Sequence, residues 1–175
     1  MSPFNLEQLK RYARLVKPLS IRSAIGGWRY RNAFKDVRVF TFFLGYMRSG
    51  HTLVGQLLNA HPNIVISHEL GALSLLAKGY SVPQVFYLCV RKDKEFGGQN
   101  RTWTGYKYKI NGQYQRSFEN LHVIGDKHGA ATVYDFENNT KLFRILSKYS
   151  KKIKGIHHTR KPFDVISNGL KKGEK

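Results

Sequence analysis

Two short segments place cations, glycines and hydroxyls where an anion could be held. Gly45-Tyr46-Met47-Arg48-Ser49-Gly50-His51-Thr52 follows an apolar run and opens a helical pattern. Its glycines let backbone N–H groups turn toward an oxyanion, and the helix N-terminus adds partial positive charge. The second segment is Arg160-Lys161-Pro162-Phe163-Asp164-Val165-Ile166-Ser167. There an arginine precedes a helix start, Pro162 occupies an early position that needs no N–H, and Ser167 lies two turns along. Arg160 offers a forked donor to a phosphate, and Ser167 can point at the same group. Glu69, with His68 beside it, follows a short strand-like run and is a candidate base in a chain of few acids. Lys127 lies beyond another such run.

The elements that must position these residues follow from hydrophobic periodicity. Leu6, Leu9, Ala13 and Val16 predict a basic amphipathic helix over 5–17, with Asn5 as cap. Gly26-Gly27 marks 20–34 as an irregular connector, so 1–36 form an N-terminal segment ahead of a domain over 37–175. The β-branched and aromatic run 37–44 predicts a buried central strand. A helix over 51–61 turns Leu53, Val54, Leu57 and Leu58 inward, and 64–67 is a second strand. One or two helices fill 71–91, broken near Pro83. Residues 92–120 are an aromatic and basic excursion, with a hairpin turn at Asn111-Gly112. A strand over 121–124, a long helix over 131–149 facing inward through Val133, Phe136, Phe143 and Leu146, and a strand over 153–159 complete the order. This alternation predicts an α/β fold with three layers, α/β/α, and a parallel central sheet. Ligands of such sheets bind beyond the carboxyl ends of the strands, which selects loops 45–51, 67–70, 125–130 and 159–162.

The first loop nearly matches the nucleoside-triphosphate pattern G-x-x-x-x-G-K-[ST], but His51 stands where the lysine should be and Arg48 supplies a cation inside the loop. The run from Tyr46 to Leu53, with Leu57-Leu58-Asn59-Ala60-His61-Pro62 downstream, resembles the phosphosulfate loop of sulfotransferases, in particular the protein-tyrosine and bacterial members. The Arg160-to-Ser167 stretch resembles that family's 3′-phosphate motif. Gly125-Asp126-Lys127 resembles an element of its bacterial members. The resemblance covers roughly 38–69 and 121–170.

It implies a P-loop-containing, sulfotransferase-like fold that binds 3′-phosphoadenosine 5′-phosphosulfate. Gly45, Arg48, Ser49, Gly50, His51 and Thr52 would hold the 5′ side, and Arg160 and Ser167 the 3′-phosphate. His51 replaces the family's usual Thr. Arg48 and Lys127 would stabilise charge on the sulfuryl group, and Glu69, or alternatively His68, would act as base. No metal is needed for this chemistry. The chain ends eight residues past Ser167. Family members continue further, through more sheet, an adenosine pocket and a lid, so the resemblance also implies a short chain.

Thirty Lys and Arg against eleven Asp and Glu, a formal charge of +19, predict anionic company: a nucleotide, nucleic acid, a sulfated or phosphorylated polymer, or an anionic membrane face. The aromatic and basic excursion is the expected place for an acceptor, a carbohydrate or another hydroxyl-bearing or anionic molecule. No specific nucleic-acid motif is present. A single cysteine, Cys89, excludes an internal disulfide and sits in an apolar run expected to be buried. The longest apolar stretch, 39–47, is shorter than the roughly 20 residues of a membrane span, and no secretory signal precedes it. A cytoplasmic, soluble protein is expected. A P-loop kinase or NTPase, and a non-enzymatic polyanion-binding module, are the competing readings.

Overall fold

The computed structural model describes residues 19–111, 113–114, 118–148, 152–163 and 166–167. The helix expected over 5–17, the turn residue Gly112 and Gln115 of the strand expected after it lie outside these residues.

Four parallel strands form the sheet: β1 (Val39–Leu44), β2 (Ile64–His68), β5 (Val123–Lys127) and β6 (Lys152–His157), in spatial order β2-β5-β1-β6. Central β1 is buried on both faces, as its unbroken apolar run requires. Phe40 stacks on Phe86 and Phe42 packs on Phe136 on one side, while Phe43 meets His51 on the other. Helix α2 (His51–Asn59) covers that second face. Helices α3 (Ala72–Ala77), α4 (Val82–Gly98), α5 (Ala130–Asn138) and α6 (Lys141–Ser147) lie toward the first. The parallel α/β architecture is as the sequence pattern predicts. Cys89 is fully buried, and burial pushes its thiol up beyond useful reactivity. Among the described residues, no helix is long and apolar enough to cross a membrane.

Several local expectations need correction. Residues 19–29 are a helix, here α1, not a connector. The glycine pair serves close approach: a Cβ on Gly26 would strike the Tyr87 ring, and one on Gly27 would come 2.9 Å from the Pro83 carbonyl. Residues 71–91 do hold two helices, separated at 78–81; Pro83 sits just past that break, in the first turn of α4, behind a Ser81–Gln84 capping box. That helix runs on to Gly98, so the excursion begins later than residue 92.

The hairpin is formed not at Asn111 but by β3 (Thr102–Trp103) and β4 (Tyr106–Lys107). Its turn is Thr104-Gly105, with φ of 49° and 84°, the double left-handed geometry of a tight hairpin. The long helix expected over 131–149 is divided at Asn139, whose extended backbone (φ −150°) separates α5 from α6. In consequence Val133 and Phe143 are exposed, and Thr132 and Leu142 face inward instead.

Helix α2 also turns the other way from its apolar pattern. Leu53 and Leu57 are about half exposed, while His51, Gly55, Gln56 and Asn59 face the sheet. These polar groups are buried because each amide has partners. Asn59 brackets the Ile66 backbone (2.6 and 2.8 Å) and donates to Asp93 (2.9 Å). Arg101 donates to Gln56 and, at 2.8 Å, to Asp93. A fully paired internal network outweighs the apolar periodicity.

Candidate functional site

Strand β1 ends at Leu44, and the chain turns at Gly45 (φ 131°), Arg48 (φ 69°) and Gly50 (φ 102°) before α2 starts. A Cβ on Gly45 would sit 2.8 Å from the His158 carbonyl, and one on Gly50 3.2 Å from the His158 ring. Only glycine fits both the torsion and the space. The first N–H groups of α2 lack intrahelical acceptors by construction, and they face the end of the sheet where this loop lies. Ser49 is buried, and its hydroxyl donates to the Tyr46 carbonyl at 2.8 Å. Its side chain braces the loop. Arg48 and Thr52 are the more accessible members, and Arg48 is exposed.

His51 is buried against Phe43 and His158, and its Nε2 has no partner among the described residues. Burial pulls its imidazole below the ordinary value, helped by the His158 and Lys127 charges and opposed by backbone hydrogen bonds. The ring is therefore neutral near pH 7, and Arg48 is the cation of the loop.

β6 runs parallel to β1 with Leu44 opposite His157. His158 N donates to the Leu44 carbonyl at 3.3 Å. The stretch His158–Pro162 thus leaves the sheet beside the phosphate loop, at the same edge. Arg160 is exposed there, residues 162–163 and 166–167 are helical, and Ser167 is exposed.

On the other flank, β2 and β5 end at His68 and Lys127, which are register partners. Lys127 is not a solvated loop residue. It is buried, and its ammonium lies 2.6 Å from the Glu69 carboxylate. Burial alone would push Glu69 up, but the Lys127 hydrogen bond and charge prevail and hold it below its ordinary value. Burial likewise draws Lys127 down, against the pull of Glu69. Asp126 organises the turn: its carboxylate accepts from Ser67 Oγ (2.7 Å) and from the N–H groups of Leu70, Gly71 and Ala72 (3.1, 2.8 and 2.9 Å). Glu69 N donates to the Lys127 carbonyl at 3.0 Å. These bonds fix Glu69 in a left-handed conformation (φ 54°) that points it back toward Lys127.

His68 is sandwiched between Phe96, stacked at 4.3 Å, and Trp103, edge-on at 4.7 Å. Burial, then the Lys127 charge, lowers its imidazole to about 4. It is buried between these rings whereas Glu69 is exposed, so Glu69 is the more accessible of the two. Beside them opens a cavity of about 110 Å³ that His68, Glu69 and Trp103 help to line.

The hairpin returns from this cavity to the phosphate loop. Burial raises the Tyr108 phenol, and the Arg48 charge and the Thr52 hydroxyl against it pull the other way. The sequence points to Trp103 and Tyr108 only as aromatics of the excursion, without these contacts, and it gives no role to Asp126 or His158. Asp126 had a signal, as an acid inside a buried run; the others act through contacts far apart in the chain. The sequence matches no protein-family model and no curated protein.

Proposed function

We propose that this chain is a sulfotransferase that binds 3′-phosphoadenosine 5′-phosphosulfate and passes its sulfuryl group to a hydroxyl acceptor. The observation that carries the reading is the parallel pairing of β1 with β6, from which the loop of Arg48 and the stretch leading to Arg160 both start at the same end of the sheet. Two anion-binding segments side by side suit a nucleotide with phosphate on both its 3′ and 5′ sides.

The residues present fit such a group. The buried His51 Nε2, without a hydrogen-bond partner among the described residues, offers a donor or acceptor beside the loop. Gly45, Gly50 and Thr52 would contribute backbone N–H groups and a hydroxyl, and Ser49 would keep the loop in shape. Arg160 and Ser167 would take the 3′-phosphate. When bound, the nucleotide supplies the sulfuryl group.

Arg48 is the exposed cation beside the phosphate loop, and Lys127 the buried one. Each stabilises charge on oxygens as it shifts during transfer. Glu69, ionised near neutrality, accepts the acceptor hydroxyl's proton. Lys127 keeps that carboxylate oriented and, once Glu69 is protonated, is released from its counter-charge.

The test is thermal stabilisation by adenosine 3′,5′-bisphosphate without magnesium, followed by a transfer assay over an acceptor panel. Stabilisation by magnesium-ATP alone would make this a kinase or NTPase. Steeply salt-dependent binding to heparin or DNA, with none to the bisphosphate, would make it a polyanion-binding module.

A further inference from the structure

We propose that the cavity beside His68 is a subsite for one ring of an uncharged saccharide, oriented by Trp103, Gln99 and Glu69. Three independent features converge there. His68 is 3% exposed, lines the cavity, and neither ring nitrogen has a hydrogen-bond partner among the described residues. A buried polar ring left in this way is costly unless something in the cavity bonds to it. Next, the wall is mixed in the way a sugar requires. Trp103 gives an apolar face, Gln99 gives both donor and acceptor, and Glu69 and Glu95 give acceptors.

The third feature is charge. The chain has only eleven acids, yet two of them line this one cavity, with Lys92 as the cation on its wall. The lining itself carries Glu69, Glu95 and Lys92, one net negative charge inside a strongly basic molecule, with Lys127 and Arg91 paired to the two acids from beside it. Two carboxylates on the wall oppose a carboxylate or sulfate there, which favours hydroxyls and narrows the anionic acceptor expected from composition to an uncharged ring at this position. The cavity is large enough for several water molecules, whose sites ring hydroxyls would take.

The subsite rests on the sulfuryl-transfer reading only for the fate of the bound hydroxyl, since Glu69 is shared; binding itself does not depend on it. The two can therefore fail separately. The chain has two tryptophans, Trp28 and Trp103. In a Trp28→Phe protein, emission reports on Trp103 alone. The probes are methyl glucoside, methyl galactoside, N-acetylglucosamine and cellobiose, with glucuronate and glucosamine as the charged arms, each with and without adenosine 3′,5′-bisphosphate.

At least one neutral probe should change Trp103 emission saturably, and Gln99→Ala should weaken it by about tenfold. Gln99 is exposed, so this variant keeps its fold. Trp103→Ala, followed by saturation-transfer NMR on the saccharide, should lose binding to a similar degree. The proposal is overturned if no neutral probe binds under either condition, if a charged arm binds more tightly, or if both variants bind as the parent does. Saccharide binding without bisphosphate binding would keep the subsite and remove the sulfuryl-transfer reading. Bisphosphate binding without saccharide binding would do the reverse.

Discussion

Lys127 Nζ lies 2.6 Å from Glu69 Oε1, joining the last residue of β5 to the first residue beyond β2. A base and a cation, read separately from the sequence, are one unit. Removing the cation leaves burial unopposed, so Lys127→Met should raise the Glu69 pKa, visible in a carboxyl-carbon NMR titration. Glu69 is depressed in the folded chain, so its pair stabilises the fold above the ordinary Glu value. That contribution fades as pH falls through the depressed value. Glu69→Gln should leave bisphosphate binding intact and cut turnover by about a hundredfold or more. Full activity in that variant would remove Glu69 as base.

Arg48 has a left-handed backbone, φ 69°. An alanine there would lose the charge and keep the strain, whereas glycine relieves the strain while deleting the same charge. Arg48→Gly should therefore melt at or slightly above the parent temperature. It should lose bisphosphate-induced stabilisation and about a hundredfold in transfer. Retained stabilisation by the bisphosphate would mean that Arg48 does not face it.

Asp126 takes four donors on two oxygens while 3% exposed. Asn in its place would set an NH₂ against backbone N–H groups. Asp126→Asn should cost about 3 kcal/mol in urea unfolding and free the turn that holds Glu69. An unchanged midpoint would show that the carboxylate is not needed there.

His68 titrates at about 4 in the folded chain against 6.5 when unfolded. The unfolded state binds the proton first, so stability is complete above 6.5 and drains away as pH falls toward 4. His68→Phe should flatten the melting temperature between pH 6.5 and 4, apart from the contribution of His51, which has the same sign. A saccharide seated in the cavity should likewise shift the His68 imidazole resonances in NMR.

The strand, loop and helix start around Arg48 were legible because their parts are contiguous: a β-branched strand, two glycines and a helix start, in a row. The neighbouring ends of β1 and β6 followed from strand–helix alternation, which forces parallel crossovers. What escaped were features decided by distant residues. Helix α1 was misread because Gly26-Gly27 looks like a breaker until Tyr87 and Pro83 are seen against it. Asn111-Gly112 carries the stronger local hairpin signal, and the turn at Thr104-Gly105 is hard to read because a β-branched residue seldom takes φ of 49°. The inward face of α2 was inverted because nothing local in Gln56 or Asn59 announces Arg101 and Asp93.

The tether at the base of the hairpin has an implication for diversification. Arg101 is held by Asp93 and Gln56, so the root of this arm is anchored in α4 and α2. Its tip, Thr104-Gly105, is only a two-residue turn. The arm therefore behaves as a cassette: a change between residues 103 and 106 alters one wall of the cavity beside His68 while the anchored root stays in place.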